Sequence, residues 1–291
     1  MKVVINILLE NGYNPKRKID EQIKYKILLE AYPSKFFKFD FKYRIKYRYS
    51  ALSAKPEPVY RPEGNIEYDA ILCYGPYEAD IFKIYAETYI IGNMKYVDYA
   101  KKEHDGKPNL LYLPTYGDIS SIDCILGIME ELKTKYKVIV KMHHGTSFLK
   151  DEQERVDLLK KVADEWHDVN TPLDELLSIA DVVLSDNSGA VFEAIYVNVP
   201  VAIYAKEINK KLGDFDTTQY LMVQEGIIPY TYTASKINEI LELAISEEYR
   251  KKQRETRAKL FSAKENLTED FISVIKKYLN DEVNQRYKRA S

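Results

Sequence analysis

Cysteine, tryptophan and histidine are scarce in this chain, with two, one and four copies in 291 residues, and each scarcity closes off a class of function. Cys73 and Cys124 stand far apart in apolar surroundings, which predicts buried, reduced thiols and excludes a disulfide framework. Neither cysteine has a histidine at metal-ligand spacing, so a zinc cluster is excluded as well. Charge of one sign is also lacking. The 43 basic and 45 acidic side chains leave a formal charge of −2, against the basic excess that a dedicated nucleic-acid binder needs to neutralise phosphate. No apolar run approaches the roughly 20 residues that span a bilayer. The apolar start, Met1 to Leu9, is too short for a secretory signal, so a soluble, intracellular protein is expected, a peripheral visit to a membrane being compatible with this. A P-loop, a Gly-x-Gly-x-x-Gly turn after a strand and a nucleophile elbow around serine are all missing.

Tyrosine, by contrast, is abundant at 25 residues and interleaves with lysine and arginine in the first half. From Phe36 to Tyr49 aromatic and basic residues alternate with period two, which predicts a half-buried strand or hairpin with its basic face in solvent. Before it, Lys2 to Leu9 reads as a buried strand and Asp20 to Ala31 as a helix with Ile23, Ile27 and Leu28 on one face. Pro56, Pro58 and Pro62 make Ala54 to Gly64 a loop. A strand from Tyr68 to Gly75, a helix from Tyr77 to Ala86 and a strand from Thr88 to Gly92 follow. The polar stretch Gly92 to Lys107 is the clearest boundary, which sets domains at residues 1–105 and 106–262, with a charged, amphipathic C-terminal helix in 263–291 (Asn266 to Tyr287).

Beyond the boundary strands and helices alternate regularly. Strands are expected at Asn109 to Leu113, Lys137 to Met142, Asp168 to Val169, Asp181 to Leu184 and Pro200 to Tyr204. Helices are expected at Asp118 to Leu132, Asp151 to Ala163, from Pro172 and Asp174 to Ile179, at Val191 to Tyr196, Ser235 to Ile245 and Glu248 to Phe261. This spacing predicts an α/β fold with a parallel sheet covered on both faces.

In such sheets ligands collect beyond the carboxyl ends of the strands. The polar residues that follow strands here are Thr115, His143, Ser185, Asp186, Asn187 and Ser188. The turn Ser185 to Gly189 opens a helix, so its backbone N–H groups are candidates to hold phosphate. His143 and its neighbour His144 end a strand, where an imidazole can donate a hydrogen bond to a phosphate oxygen. Glu193 lies one helical turn past Ser188 and Gly189, within reach of a ribose whose phosphates sit at the helix start. Asp214 and Asp216 form a short Asp-x-Asp, a weak candidate for a metal–diphosphate.

Taken together, LYLPTYGD (Leu111 to Asp118), VIVKMHH (Val138 to His144), IADVVLSDNSGAVFEAIYVNVPVAIY (Ile179 to Tyr204) and the segment Asp214 to Pro229 resemble the second domain of the CDP-glycerol glycerophosphotransferase family, whose members build teichoic acids and related capsule polymers. The interval from Glu193 to Pro200 matches the family's pattern. The resemblance covers roughly Tyr68 to Ile245, and the layout is similar to the wider GT-B group and to UDP-GlcNAc 2-epimerases. It implies a GT-B-like fold of two Rossmann-like domains, the first one reduced and on the acceptor side, the second holding a nucleotide donor. It further implies transfer of glycerol phosphate from CDP-glycerol, or a related CDP-polyol, to a hydroxyl of a polymer or lipid-linked acceptor, with no cofactor or metal required. In that setting His143 would contact the donor diphosphate, Ser188 and Gly189 would cradle phosphate, Glu193 would hold ribose, and Thr115 would line the cleft with His144, Ser185, Asp186 and Asn187. Three departures stand out. Gly117 occupies the place of a family arginine, Asn187, Ser188 and Gly189 replace Tyr-Ser-Ser, and no histidine precedes His104 to act as the first-domain base. Either another group such as Glu78 or Asp80 then takes the base's part, or the acceptor chemistry differs, or the chain is a reduced binding relative. The alternatives are a UDP-sugar-dependent glycosyltransferase or epimerase, and a non-catalytic nucleotide-binding partner.

Overall fold

The computed structural model describes residues 2–15, 26–30, 41–47, 65–143, 145–146, 152–186, 188–205, 222–223, 225–262 and 266–282. They form two compact units: the described residues up to Asp98 together with those from Ala258 onward, and Tyr99–Arg257. The first boundary lies seven residues before the one expected at 105/106 because the intervening segment is tied to the second unit. Tyr99 Oη donates to Leu177 O (3.1 Å), Lys102 N to Ser178 O (2.8 Å), and His104 Nε2 lies 2.6 Å from Asp181 Oδ2. The C-terminal segment, expected to stand apart, supplies part of the first unit's core.

The first unit contains α1 (Lys2–Glu10), β1 (Ile27–Glu30), β2 (Tyr43–Tyr47), β3 (Ala70–Cys73), α2 (Pro76–Phe82) and β4 (Glu87–Ile90). Its four strands pair in parallel in the order β1-β2-β3-β4. One face packs Ile45, Ala70 and Leu72 against Ile7 and Leu8 of α1 and against Phe271, Ile275 and Tyr278 of the C-terminal helix, Leu267–Leu279. The other packs Ile71 and Cys73 against Phe82 and Ala86.

Two expectations are corrected here. Lys2 to Leu9 is a helix, not a strand, since a short apolar run has no period that separates the two. Within Asp20 to Ala31, residues 26–30 carry a strand rather than a helix, Ile27–Glu30, in parallel register with Tyr43–Lys46, while residues 20–25 lie outside the described set. A third correction concerns the basic face of the alternating segment. Arg44 and Lys46 are buried, because Asn65, Tyr68 and Glu30 close over them: Lys46 Nζ donates to Asn65 Oδ1 (2.7 Å), and Tyr68 Oη donates to Glu30 Oε1 (3.1 Å). The loop at Ala54 to Gly64 lies outside the described residues.

A polar cluster ties the C-terminal helix to edge strand β4. Lys277 Nζ donates to Glu87 Oε1 (3.0 Å) and Tyr89 Oη (2.7 Å), and Tyr278 Oη donates to Glu87 Oε2 (3.0 Å). Burial alone would raise the Glu87 pKa, but hydrogen bonds from Tyr89, Lys277 and Tyr278 outweigh it and hold the carboxyl below its ordinary value. A folded pKa below the unfolded one contributes stability that is present above about pH 4.5 and lost as pH falls through the folded value. E87Q is therefore expected to melt earlier than the parent at neutral pH. Calorimetry at stepped pH should show the gap closing as pH falls below about 4.5.

The second unit runs β5 (Asn109–Leu113), α3 (Ile122–Leu126), α4 (Met129–Lys135), β6 (Lys137–Lys141), α5 (Gln153–Val162), β7 (Glu165–His167), α6 (Leu173–Ile179), β8 (Val182–Ser185), α7 (Ala190–Tyr196), β9 (Val201–Tyr204), β10 (Tyr230–Thr231), α8 (Ile237–Ile245) and, as far as Arg257, α9 (Glu247–Leu260). The sheet is parallel throughout, in the order β10-β9-β8-β5-β6-β7. Leu110, Tyr112, Val138, Val140, Val182 and Leu184 face a core completed by Ile122, Leu132, Ile240 and Leu241. Leu111, Ile139 and Val183 on the opposite face are fully buried as well, with α6 and α7 packed against β5, β8 and β9. This is the two-faced burial that continuous apolar strands require. The short strand expected at Asp168 lies three residues earlier. The helix expected from Asp118 to Leu132 is broken into a 3-10 turn, α3 and α4, because Ser120 is extended and Ser121 is bonded elsewhere. Cys73 is buried and Cys124 only partly so. Among the described residues no helix is long and apolar enough to cross a membrane.

Candidate functional site

Three neighbouring strands of the second sheet end level with one another. Leu113 of β5 pairs with Ser185 of β8, and Tyr112 of β5 with Val140 of β6, so the loops after β5, β6 and β8 leave one edge side by side. From β5 the chain winds through β6 to β7 on one side, then crosses to β8 and continues to β10 on the other. The β5/β8 boundary is therefore where the winding reverses, the place at which such sheets open a crevice.

Asp186, the first residue after β8, joins two of these loops. Its carboxylate is 0% exposed and accepts from Thr115 N (2.8 Å), Ser121 N (2.9 Å) and Ser121 Oγ (2.7 Å). Ser121 gives its proton to Asp186, so the contact at 2.8 Å between Tyr112 Oη and Ser121 Oγ has the phenol as donor. Burial, then the Asp186 charge, pushes the Tyr112 pKa well up and keeps that donor proton in place. Ser185 Oγ donates to Leu113 O (2.7 Å). Ser185 and Asp186 thus turn inward: their polar atoms hold the turn together, where sequence reasoning had aimed them at a ligand. Beyond them Ser188 Oγ accepts from Ala190 N (3.3 Å), and Gly189 caps α7. The helix has only seven residues, so the gathered loops, rather than its dipole, define this edge. Glu193, in its first turn, is 4% exposed and not the solvated glutamate that an unassisted reading of the helix favours.

His143 follows β6. Its Nδ1 accepts from Gly145 N (2.9 Å), which places the proton of the neutral imidazole on Nε2 and makes Nε2 a donor. The ring lies against Tyr116 of the β5 loop, centroids 4.8 Å apart and planes 31° apart. The chain of contacts from His143 through Tyr116 and Thr115 to Asp186 therefore spans all three loops. Gly145 also packs closely on the Tyr116 ring: an added Cβ would stand 2.6 Å from Tyr116 Cδ1 and Cε1. G145A must move that ring. Overpacking of this kind costs about 1–3 kcal/mol, and a fluorescence or calorimetric melt of G145A should show it.

Sequence reasoning missed Tyr116, Ser121, Thr146, Glu152 and Arg155. Thr146 Oγ1 and Glu152 Oε2 are buried without a hydrogen-bond partner among the described residues. The glycines at 117 and 145, beside a strand-end histidine, were the available signal. His144, Asn187, Asp214 and Asp216 lie outside the described residues, and among the described ones no cluster of His, Cys, Asp or Glu could hold a metal.

In the first unit, Glu78 is fully buried and accepts from Tyr74 N (2.9 Å), closing the β3–α2 turn. Asp80 is exposed and pairs with Lys83 (2.6 Å). Neither placement supports the base expected of them, since one carboxylate is enclosed by protein and the other is held by a surface cation.

Residues 92–273 match the family described as CDP-Glycerol:Poly(glycerophosphate) glycerophosphotransferase. The teichoic acid glycerol-phosphate primase of Bacillus subtilis (strain 168) is 31% identical over 142 residues, covering 46% of this chain and 35% of the primase. The chain thus matches about a third of that relative's length. Among solved structures, a variant of the wall teichoic acid polymerase TagF soaked with CDPG aligns with a TM-score of 0.60 at 15% identity, over 89% of this chain and 73% of that one. The S. aureus MnaA–UDP co-structure aligns at 0.59 with 15% identity, over 96% and 87%. Likeness at this identity speaks for the fold, which is α/β with two parallel sheets and GT-B-like, as expected.

Proposed function

The chain belongs to the CDP-glycerol:poly(glycerophosphate) glycerophosphotransferase family, and from that premise we propose that it transfers glycerol phosphate from CDP-glycerol to an acceptor hydroxyl in the synthesis of a cell-envelope polymer. The observation that carries the reading is the joining of the β5, β6 and β8 loops through Tyr116–His143 and Thr115–Asp186, within the stretch that the family matches.

The acceptor oxygen attacks the phosphorus that bears glycerol. A new P–O bond forms, the bond to the bridging oxygen of the diphosphate breaks, and CMP departs with that electron pair while the hydroxyl proton is released. Charge grows on the departing phosphate, and a fixed donor aimed at it stabilises the transition state. His143 Nε2–H is that donor, while Ser188 and the Gly189 N–H cradle phosphate from the β8 loop and Glu193 holds the ribose. Thr115 lines the cleft, and the proposal requires no metal. A lipid-linked acceptor would bring the protein to the membrane surface, which vesicle co-sedimentation tests.

The function is tested by thermal shift with CDP-glycerol and with UDP-GlcNAc, followed by 31P NMR of CMP release on a polyol-phosphate acceptor. CDP-glycerol at 100 times its Kd should stabilise the protein by about 2.7 kcal/mol, and CMP should appear only when acceptor is added. Stabilisation by UDP-GlcNAc alone would favour the UDP-sugar reading. Binding of CDP-glycerol without turnover would favour the non-catalytic one.

A further inference from the structure

Glu152 and Arg155, at the start of α5, form an ion pair that closes on one residue of the β5 loop. Gly117 donates its N–H to Glu152 Oε1 (3.0 Å), and its carbonyl accepts from Arg155 Nη2 (3.2 Å). Arg155 Nη1 also donates to Asp123 Oδ2 (3.0 Å) in α3. Gly117 has φ +72°, a conformation open to glycine at little cost, and both of its backbone polar groups are held. The preceding residue is Tyr116, whose ring lies on the His143 imidazole and close against Gly145. Here Glu152 Oε2 and Thr146 Oγ1 have no hydrogen-bond partner among the described residues.

We propose that Glu152 and Arg155 are positioning residues: by gripping the backbone of Gly117 they set the Tyr116 ring, and through it the plane of the His143 imidazole. The inference rests on the reading that His143 serves the donor diphosphate. Arginine is required because one planar fork meets Gly117 O, Glu152 and Asp123 together, whereas lysine offers a single point of charge.

The test uses the full chain with E152Q, E152A, R155K and R155M, each checked for folding by circular dichroism. The first readout is the ring 15N spectrum of His143, assigned by the signals lost in H143Q, which needs neither donor nor turnover. R155M and E152A should move those signals away from the Nε2-protonated pattern. They should also lower kcat for CMP release roughly 10–100-fold, as small displacements of reacting groups do, with KM within threefold. E152Q keeps an oxygen for the Gly117 N–H and should restore most of both readouts. If R155M does not fold, R155K must show the same displacement in smaller measure. His143 signals superimposable on the parent in a folded R155M or E152A would overturn the proposal. Should H143A leave turnover unchanged, the role of His143 falls, while the 15N spectra still decide whether the ion pair sets its ring.

Discussion

H143A is expected to release CMP from CDP-glycerol about 10²–10³-fold more slowly than the parent chain, the usual cost of removing one fixed donor from a developing anion. The structural cost of the change is small by comparison. His143 is partly exposed, at the end of β6, and its substitution removes a ring contact with Tyr116 and one acceptor for Gly145 N. The effect belongs in kcat rather than KM, because the hydrogen bond strengthens as charge moves onto the departing phosphate. H143Q refines the expectation, since its amide can still donate a hydrogen bond. Partial recovery would assign the effect to the hydrogen bond itself. A rate for H143A within threefold of the parent would remove His143 from the chemistry.

The largest loss of stability is expected from D186A. Alanine there strands Thr115 N, Ser121 N and Ser121 Oγ in a buried place, and each orphaned donor costs about 1–3 kcal/mol. With partial relaxation the total is roughly 3–5 kcal/mol, a large share of the ~5–15 kcal/mol that holds a typical domain folded. The melting temperature should drop by roughly 6–20 °C. Hydrogen exchange identifies the cause: the Thr115 and Ser121 amides should lose protection while amides in β6 and β7 keep theirs. D186N retains an oxygen and should lie between D186A and the parent. A melt within 2 °C of the parent for D186A would show that the three hydrogen bonds carry little weight.

These expectations divide along the same line as the legibility of the sequence. In the second unit β5, β6, β8 and β9 are short apolar runs and were readable to within a residue, and strand-end polar residues could be named from them. Which way each of those residues points was not readable. Ser185 and Asp186 stand next to each other at a strand end like Ser188, yet their partners are Leu113, Thr115 and Ser121, some 65 to 72 positions away. Arg155 reaches Gly117 across 38 positions, and no local pattern announces it. The first unit was harder. A run such as Lys2 to Leu9 is equally apolar as helix or strand, and the basic alternation around Arg44 and Lys46 looks solvent-facing until Glu30, Asn65 and Tyr68 are placed over it. The family resemblance was carried by spacing inside the second unit, where local pattern and fold agree.

The measurement closest to the central claim is a crystal structure of this chain with CDP-glycerol at saturating concentration. A diphosphate oxygen is expected within hydrogen-bonding distance, about 2.7–3.2 Å, of His143 Nε2, with a second phosphate oxygen meeting Ser188 Oγ or Gly189 N. CDP-glycerol seated away from the β5, β6 and β8 loops, with His143 Nε2 turned from both phosphates, would contradict it.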